Sequence, residues 1–108
     1  MGVLAVGDII AVEFPFTVGP KLKKRPGIVV ATLPLDDVIV SYITSRDQPG
    51  AVRLPADAVR DGRLPLDSFI RPEKLLTVGS SVAQYLGKAA PDITNEVLAR
   101  LRELFTPR

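Results

Sequence analysis

Two runs rich in β-branched residues, GIVVAT at 27–32 and VIVSYI at 38–43, stand either side of a short break, Leu33-Pro34-Leu35-Asp36-Asp37. β-Branched side chains suit a pleated surface, and so short a connection lets the chain do little but double back. The two runs predict an antiparallel hairpin. Its first strand is apolar without interruption, the pattern of a strand buried on both faces at the centre of a sheet. Ahead of it lies PKLKKR at 20–25, four cations in six residues, cut off by Pro26. Proline fixes its own φ and keeps the residue before it out of the α region, so Arg25 is held extended at the mouth of the strand. The hairpin returns the chain to its starting edge, bringing Thr44, Ser45 and Arg46 back beside Arg25 across nineteen positions of sequence. A fixed cation next to a hydroxyl is the result.

The remaining segments read as a sheet around this hairpin. In DIIAVEF, residues 8–14, Ile10, Val12 and Phe14 fall on one side and Ile9, Ala11 and Glu13 on the other, so a first strand with one strongly buried face is expected. Pro15 ends it, and residues 16–24 form a loop with Gly19-Pro20 as its turn. After the turn Asp47-Gln48-Pro49-Gly50, AVRL at 51–54 predicts a short fourth strand, stopped by Pro55. Residues 57–64 are expected to hold one helical turn ended by Gly62. Over 65–78 a short fifth strand around Phe69 and Ile70 should break at Arg71-Pro72, with low regularity after it. SVAQYL at 81–86 reads as a last strand closed by Gly87. Pro91 and Asp92 suit the first turn of a helix, where a missing N–H costs nothing and a negative charge meets the positive helix end. Ile93, Val97, Leu98, Leu101, Leu104 and Phe105 follow helical spacing, so this helix, ended before Pro107, should lay one stripe on the open side of the sheet.

What the chain lacks excludes much chemistry. It has no cysteine and no histidine. There is then no disulfide, no thiol nucleophile, no Ser-His-Asp triad and no HExxH zinc motif. Catalysis has only Arg, Lys, carboxylates and hydroxyls to draw on. A length of 108 residues fits one domain over 1–108 with a modest core, which a homodimer would supplement. The net charge of +2 is too small to indicate a polyanion partner, so the local cluster matters more. No signal-peptide pattern and no apolar stretch near the ~20 residues of a membrane span is present, and a soluble cytoplasmic protein is expected.

Each local feature has a plain reading. Lys21, Lys23, Lys24 and Arg25 alone are what a solvated loop carries, Thr44-Ser45 what a turn carries, and Asp67-Ser68 what a strand entry carries. The aromatics suit a core, with Phe16, beside the cations, best placed to face a base.

The ordered combination says more. GDIIAVEFPF at 7–16, KRPGIVV at 24–30, VIVSYITSR at 38–46 and DSFIRPEKL at 67–75, then Leu86-Gly87 and a terminal helix, resemble the MazF/PemK family of toxin endoribonucleases over nearly the whole chain. The resemblance implies a mainly β (α+β) fold, a small SH3-like antiparallel barrel of the MazF/PemK/CcdB type with a C-terminal helix. It implies a homodimer that cuts single-stranded RNA at short sequences without metal or other cofactor, and that a cognate antitoxin neutralises. The family's catalytic Arg and Thr carry over to Arg25 and Thr44. Phe16, Lys23, Lys24, Ser45, Arg46, Asp67 and Ser68 are the expected RNA contacts. In two places the chain departs from the pattern. Some members carry an acidic residue in the loop before the catalytic Arg, where residues 16–24 have none, and Ala90-Pro91 stands where a Ser cap often does.

Such chemistry suits the available side chains. RNA supplies its own nucleophile, the 2′-OH, so the protein need only align it, stabilise added negative charge and help protons move. Arg25 stays protonated and offers a rigid donor fork for phosphate oxygens, while Thr44 and Ser45 can donate to the same group. Glu13 and Asp67 are candidate bases, neither with a clear signal. Two other readings stay open: a CcdB-like toxin that inhibits DNA gyrase by binding, and an inactive RNA-binding or antitoxin-sequestering module.

Overall fold

The computed structural model describes residues 3–15 and 23–108. Seven strands follow in chain order: β1 (Asp8–Glu13), β2 (Lys24–Thr32), β3 (Asp37–Thr44), β4 (Val52–Leu54), β5 (Val59–Arg60), β6 (Ser68–Gly79) and β7 (Gln84–Ala89), then the helix α1 (Pro91–Leu104). They form one sheet in the order β4-β6-β3-β2-β1-β7-β5, with every neighbouring pair antiparallel. The sheet curls into a nearly closed barrel whose free edges are β4 and β5. The hairpin of β2 and β3 lies near its centre, as the apolar runs predict.

The sheet buries side chains on both faces. On one, Ile9, Ile28, Val30, Ile43, Val52, Leu54 and Ile70 gather with Ile93, Val97 and Leu101 of α1. On the other, Ile10, Val12, Phe14, Val29, Val38 and Val40 pack together, with Tyr42, Leu76 and Val78 at their margin. This explains β1, where both sides are buried from Asp8 to Val12 rather than one. Ile9 feeds the first core and Ile10 the second.

Three further expectations about the strands and turns need correction. The helical turn expected at 57–64 is instead a 3-10 turn at Ala56–Ala58 followed by β5. Val59 is β-branched and finds a strand partner in Ala89, which outweighs the weak local helical preference. The sequence from 68 onward does not break at Arg71-Pro72; β6 runs for 12 residues. Between Ser41 and Tyr42 the β3 register jumps from Leu75 to Arg71, so Pro72, Glu73 and Lys74 bulge out of the ladder. A bulge is where a strand tolerates a proline, because no ladder N–H is asked of it. The carbonyl of Pro72 accepts a hydrogen bond from the buried Ser41 hydroxyl at 3.0 Å. The last strand starts later than expected, after a 3-10 turn at Ser80–Val82, and continues through Gly87 to Ala89. At Gly87, with φ 154°, an added Cβ would meet Val59 at 2.8 Å, so only glycine lets β5 approach β7 here.

The helix begins at Pro91 with Asp92 in its first turn, as expected. Its buried stripe is shorter than the spacing suggests. Ile93, Val97 and Leu101 are buried, but Leu104 is 54% and Phe105 67% exposed, beyond the part of the stripe that meets the sheet. No helix is long and apolar enough to cross a membrane among the described residues.

Candidate functional site

The register of the central hairpin sets the site. The β2–β3 ladder ends where Gly27 stands opposite Tyr42, and Arg25 and Thr44 each lie two residues beyond that pair, on β2 and β3 at the open end of the hairpin. On its other side Arg25 pairs with Val12 of β1, and Thr44 pairs with Phe69 of β6. Side chains alternate along a strand, so Arg25, four residues from Val29, and Thr44, two from Tyr42, fall on the face that carries the second core. Beneath them, Phe14 and Tyr42 meet edge to face at 5.0 Å. A Cβ on Gly27 would fall 2.9 Å from the Phe14 ring, so that glycine is what lets the aromatic floor sit against β2.

Arg25 and Thr44 line one cleft of about 830 Å³. Six cations reach into its lining, Lys24, Arg25, Arg46, Arg63, Arg71 and Lys74, and no carboxylate does. Like charges converging in one hollow repel one another and create a strongly positive potential. Such a hollow favours an anion. The Thr44 hydroxyl oxygen accepts the backbone N–H of Arg46 at 3.2 Å. With one lone pair so engaged, the oxygen is oriented and its own proton is left to donate to a ligand. Arg71 comes from the β6 bulge, where its Nε and Nη2 both donate to Glu73, at 3.2 and 2.8 Å.

The other expected contacts divide. Lys24, Ser45, Arg46 and Ser68 line the cleft, Ser68 being buried with its hydroxyl donating to the Leu66 carbonyl at 3.1 Å. Lys23 is exposed and outside the lining. Phe16 and Lys21 lie outside the described residues. Asp67 is also absent from the lining: it accepts the Ala56 N–H at 2.8 Å and Arg53 Nη2 at 3.1 Å. The Ala56 amide, then Arg53, holds its carboxyl below the ordinary carboxylate value. Glu13, the other candidate base, stands opposite Lys24 and borders a different hollow. The sequence reading missed Arg63, Arg71 and Lys74. For Arg71 and Lys74 the one available signal was Pro72, which marks a bulge if the strand is taken to continue. For Arg63 there was none. Among the described residues no cluster of three or more Cys, Asp or Glu is placed to hold a metal ion.

The model of the PemK-like, MazF-like toxin of type II toxin-antitoxin systems matches residues 5–105. This chain belongs to that family. The match covers every strand and the helix, so the toxin-family assignment takes in the hairpin and the cleft alike. No match was found among curated proteins. Among solved structures the toxin-family chain is similar to MazE-MazF from Deinococcus radiodurans, with 22% identity, a TM-score of 0.73, and 95% of this chain and 96% of that one covered. MazF alone from the same organism gives 21% identity and a TM-score of 0.73 over 96% and 97%. An endoribonuclease in complex with its cognate antitoxin from a mycobacterial species gives 18% and 0.72 over 100% and 99%. At these identities the structures establish the shared antiparallel barrel.

Proposed function

We propose that this toxin-family protein is an endoribonuclease that cuts single-stranded RNA in the cationic cleft, without a metal ion. The observation that carries the reading is the convergence of Arg25 and Thr44 in a hollow lined by cations and no carboxylate. In the proposed reaction the 2′-oxygen attacks the adjacent phosphorus and the bond from phosphorus to the 5′-oxygen breaks. The 2′-OH gives up its proton and the leaving 5′-oxygen gains one, so the products are a 2′,3′-cyclic phosphate and a 5′-hydroxyl. Negative charge grows on the non-bridging oxygens, and the Arg25 guanidinium offers two donors in the fork that matches them. Thr44 donates a further hydrogen bond and holds the phosphate in line. Lys24, Arg46, Arg63, Arg71 and Lys74 take flanking phosphates, which position the strand without reading it.

The antitoxin-bound neighbours support a cognate antitoxin as partner of this chain too, and a homodimer is part of the same proposal. An acidic segment of such an antitoxin suits the cleft for the reason RNA does.

The test is incubation of the purified protein with a long single-stranded RNA in EDTA. Discrete fragments ending in cyclic phosphate are expected. Arg25→Ala should lower cleavage at least about 10²-fold while the far-UV circular dichroism and unfolding midpoint stay near wild type, since Arg25 stands exposed at the strand mouth. Intact RNA, with or without stalled gyrase, would overturn the reading, as would full activity in Arg25→Ala.

A further inference from the structure

A second hollow, of about 550 Å³, borders the cleft on its β1 side. Lys24 lines both. Val12, in its wall, is the direct cross-strand partner of Arg25, and Glu13, at its edge, is that of Lys24. The hollow therefore begins one strand away from the residue assigned to the scissile phosphate. Val78, Val82 and Ala83 complete an apolar lining, and Gln84 adds an amide to the polar edge. Apolar walls with a hydrogen-bonding edge complement a nucleobase, whose faces are flat and apolar and whose rim is polar.

We propose that this hollow is a specificity pocket of the RNA site and that the base it takes is guanine, read by Glu13. The inference rests on the RNA-cutting reading above and adds to it which residue selects sequence. An ionised carboxylate accepts hydrogen bonds and donates none. Of the four bases only guanine presents two adjacent donors, N1–H and the 2-amino group, on its Watson–Crick edge, so only guanine serves both carboxylate oxygens at once. Adenine and cytosine offer one amino group there, and uracil offers one N–H between two carbonyls that the carboxylate repels. Gln84 supplies a donor for the guanine O6. Lys24, standing between the hollows, meets the phosphate that joins the guanosine to the nucleotide at Arg25. No acidic residue lines the main cleft, and Glu13 is the one carboxylate among the described residues that line the hollow beside it.

The test uses short RNAs made non-cleavable by 2′-O-methylation, carrying guanosine, inosine, adenosine, cytidine or uridine at each position in turn beside the mapped cut site. At one position the wild-type protein should bind guanosine about tenfold more tightly than adenosine, with inosine, which lacks the 2-amino group, in between. Glu13→Gln should lose most of that preference while affinity for guanine-free RNA changes little. Val82→Arg, a change at a residue 63% exposed, should fill the hollow and also abolish the preference. Equal affinity for all bases, or a preference untouched by Glu13→Gln, would overturn the pocket while Arg25-dependent binding and cutting stand. Absence of any Arg25-dependent RNA binding would remove the cleavage reading and the pocket together. If Val82→Arg instead turns a dimer into a monomer in sedimentation and leaves base preference intact, the hollow is an interface between copies of the chain, and the pocket is refuted.

Discussion

In the proposed reaction Thr44 acts through one oxygen atom, and that atom can be removed with little change of shape. The Arg46 amide engages one of its lone pairs, and its proton is left to donate to a ligand in the cleft. Thr44→Val keeps the branched side chain that β3 packs and deletes only the donor. Single-turnover cleavage should fall by about 10²- to 10³-fold, with affinity for non-cleavable RNA almost unchanged, because the bond strengthens as phosphate charge develops. Thr44→Ser should retain most of the rate. Cleavage by Thr44→Val at the wild-type rate would show that the hydroxyl takes no part. At this scale the sequence was partly legible. Arg25 was found because Pro26 dictates its backbone, and Thr44 because a hairpin must bring its ends together. Arg63, Arg71 and Lys74 were not, since a cation is tolerated almost anywhere on a surface and only non-local strand pairing decides which ones converge.

At the level of elements, β6 shows where local reading fails and why. A proline after an arginine looked like the end of a strand, whereas the barrel absorbs it in a three-residue bulge and carries on. The bulge leaves the buried carbonyl of Pro72 outside the ladder, and the Ser41 hydroxyl, itself fully buried, is its partner. A buried acceptor stripped of its donor costs roughly 1–3 kcal/mol, so Ser41→Ala should lower the free energy of unfolding by about that amount in urea titrations. The bulge also aims Arg71 and Lys74, so the same variant should slow cleavage several-fold beyond any loss of folded protein. An unchanged unfolding midpoint would mean that Pro72 is satisfied without Ser41. The hairpin of β2 and β3 was legible because its signal lies in consecutive residues. The shortened stripe of α1 was not, because periodicity gives the face of a helix but says nothing of how far the sheet beneath it extends.

For the molecule as a whole, net charge and charge placement tell different stories. A balance of +2 gave no reason to expect a polyanion, yet six of the fourteen cationic side chains line a single cleft from which carboxylates are absent. Folding has largely sorted charge by location, pairing Asp67 with Arg53, Asp8 with Lys88 and Glu96 with Arg100 away from that hollow, while Glu73, outside the lining, holds the cleft's Arg71. Each phosphate neutralised by a cation releases condensed counterions, so affinity should fall with salt in proportion to the number of such contacts. If all six meet phosphates, the logarithm of the association constant for a non-cleavable single strand should fall against the logarithm of KCl concentration with a slope of about −4. Arg63 tests the sum one contact at a time, because it makes no ion pair among the described residues and was invisible in sequence. Arg63→Ala should flatten the slope by about 0.7 and weaken binding to all sequences alike, since a phosphate contact carries no base information. A wild-type slope near −1, or an Arg63→Ala slope equal to wild type, would show that the cations surround the strand without touching it, and the cleft would have to bind its ligand through some other surface.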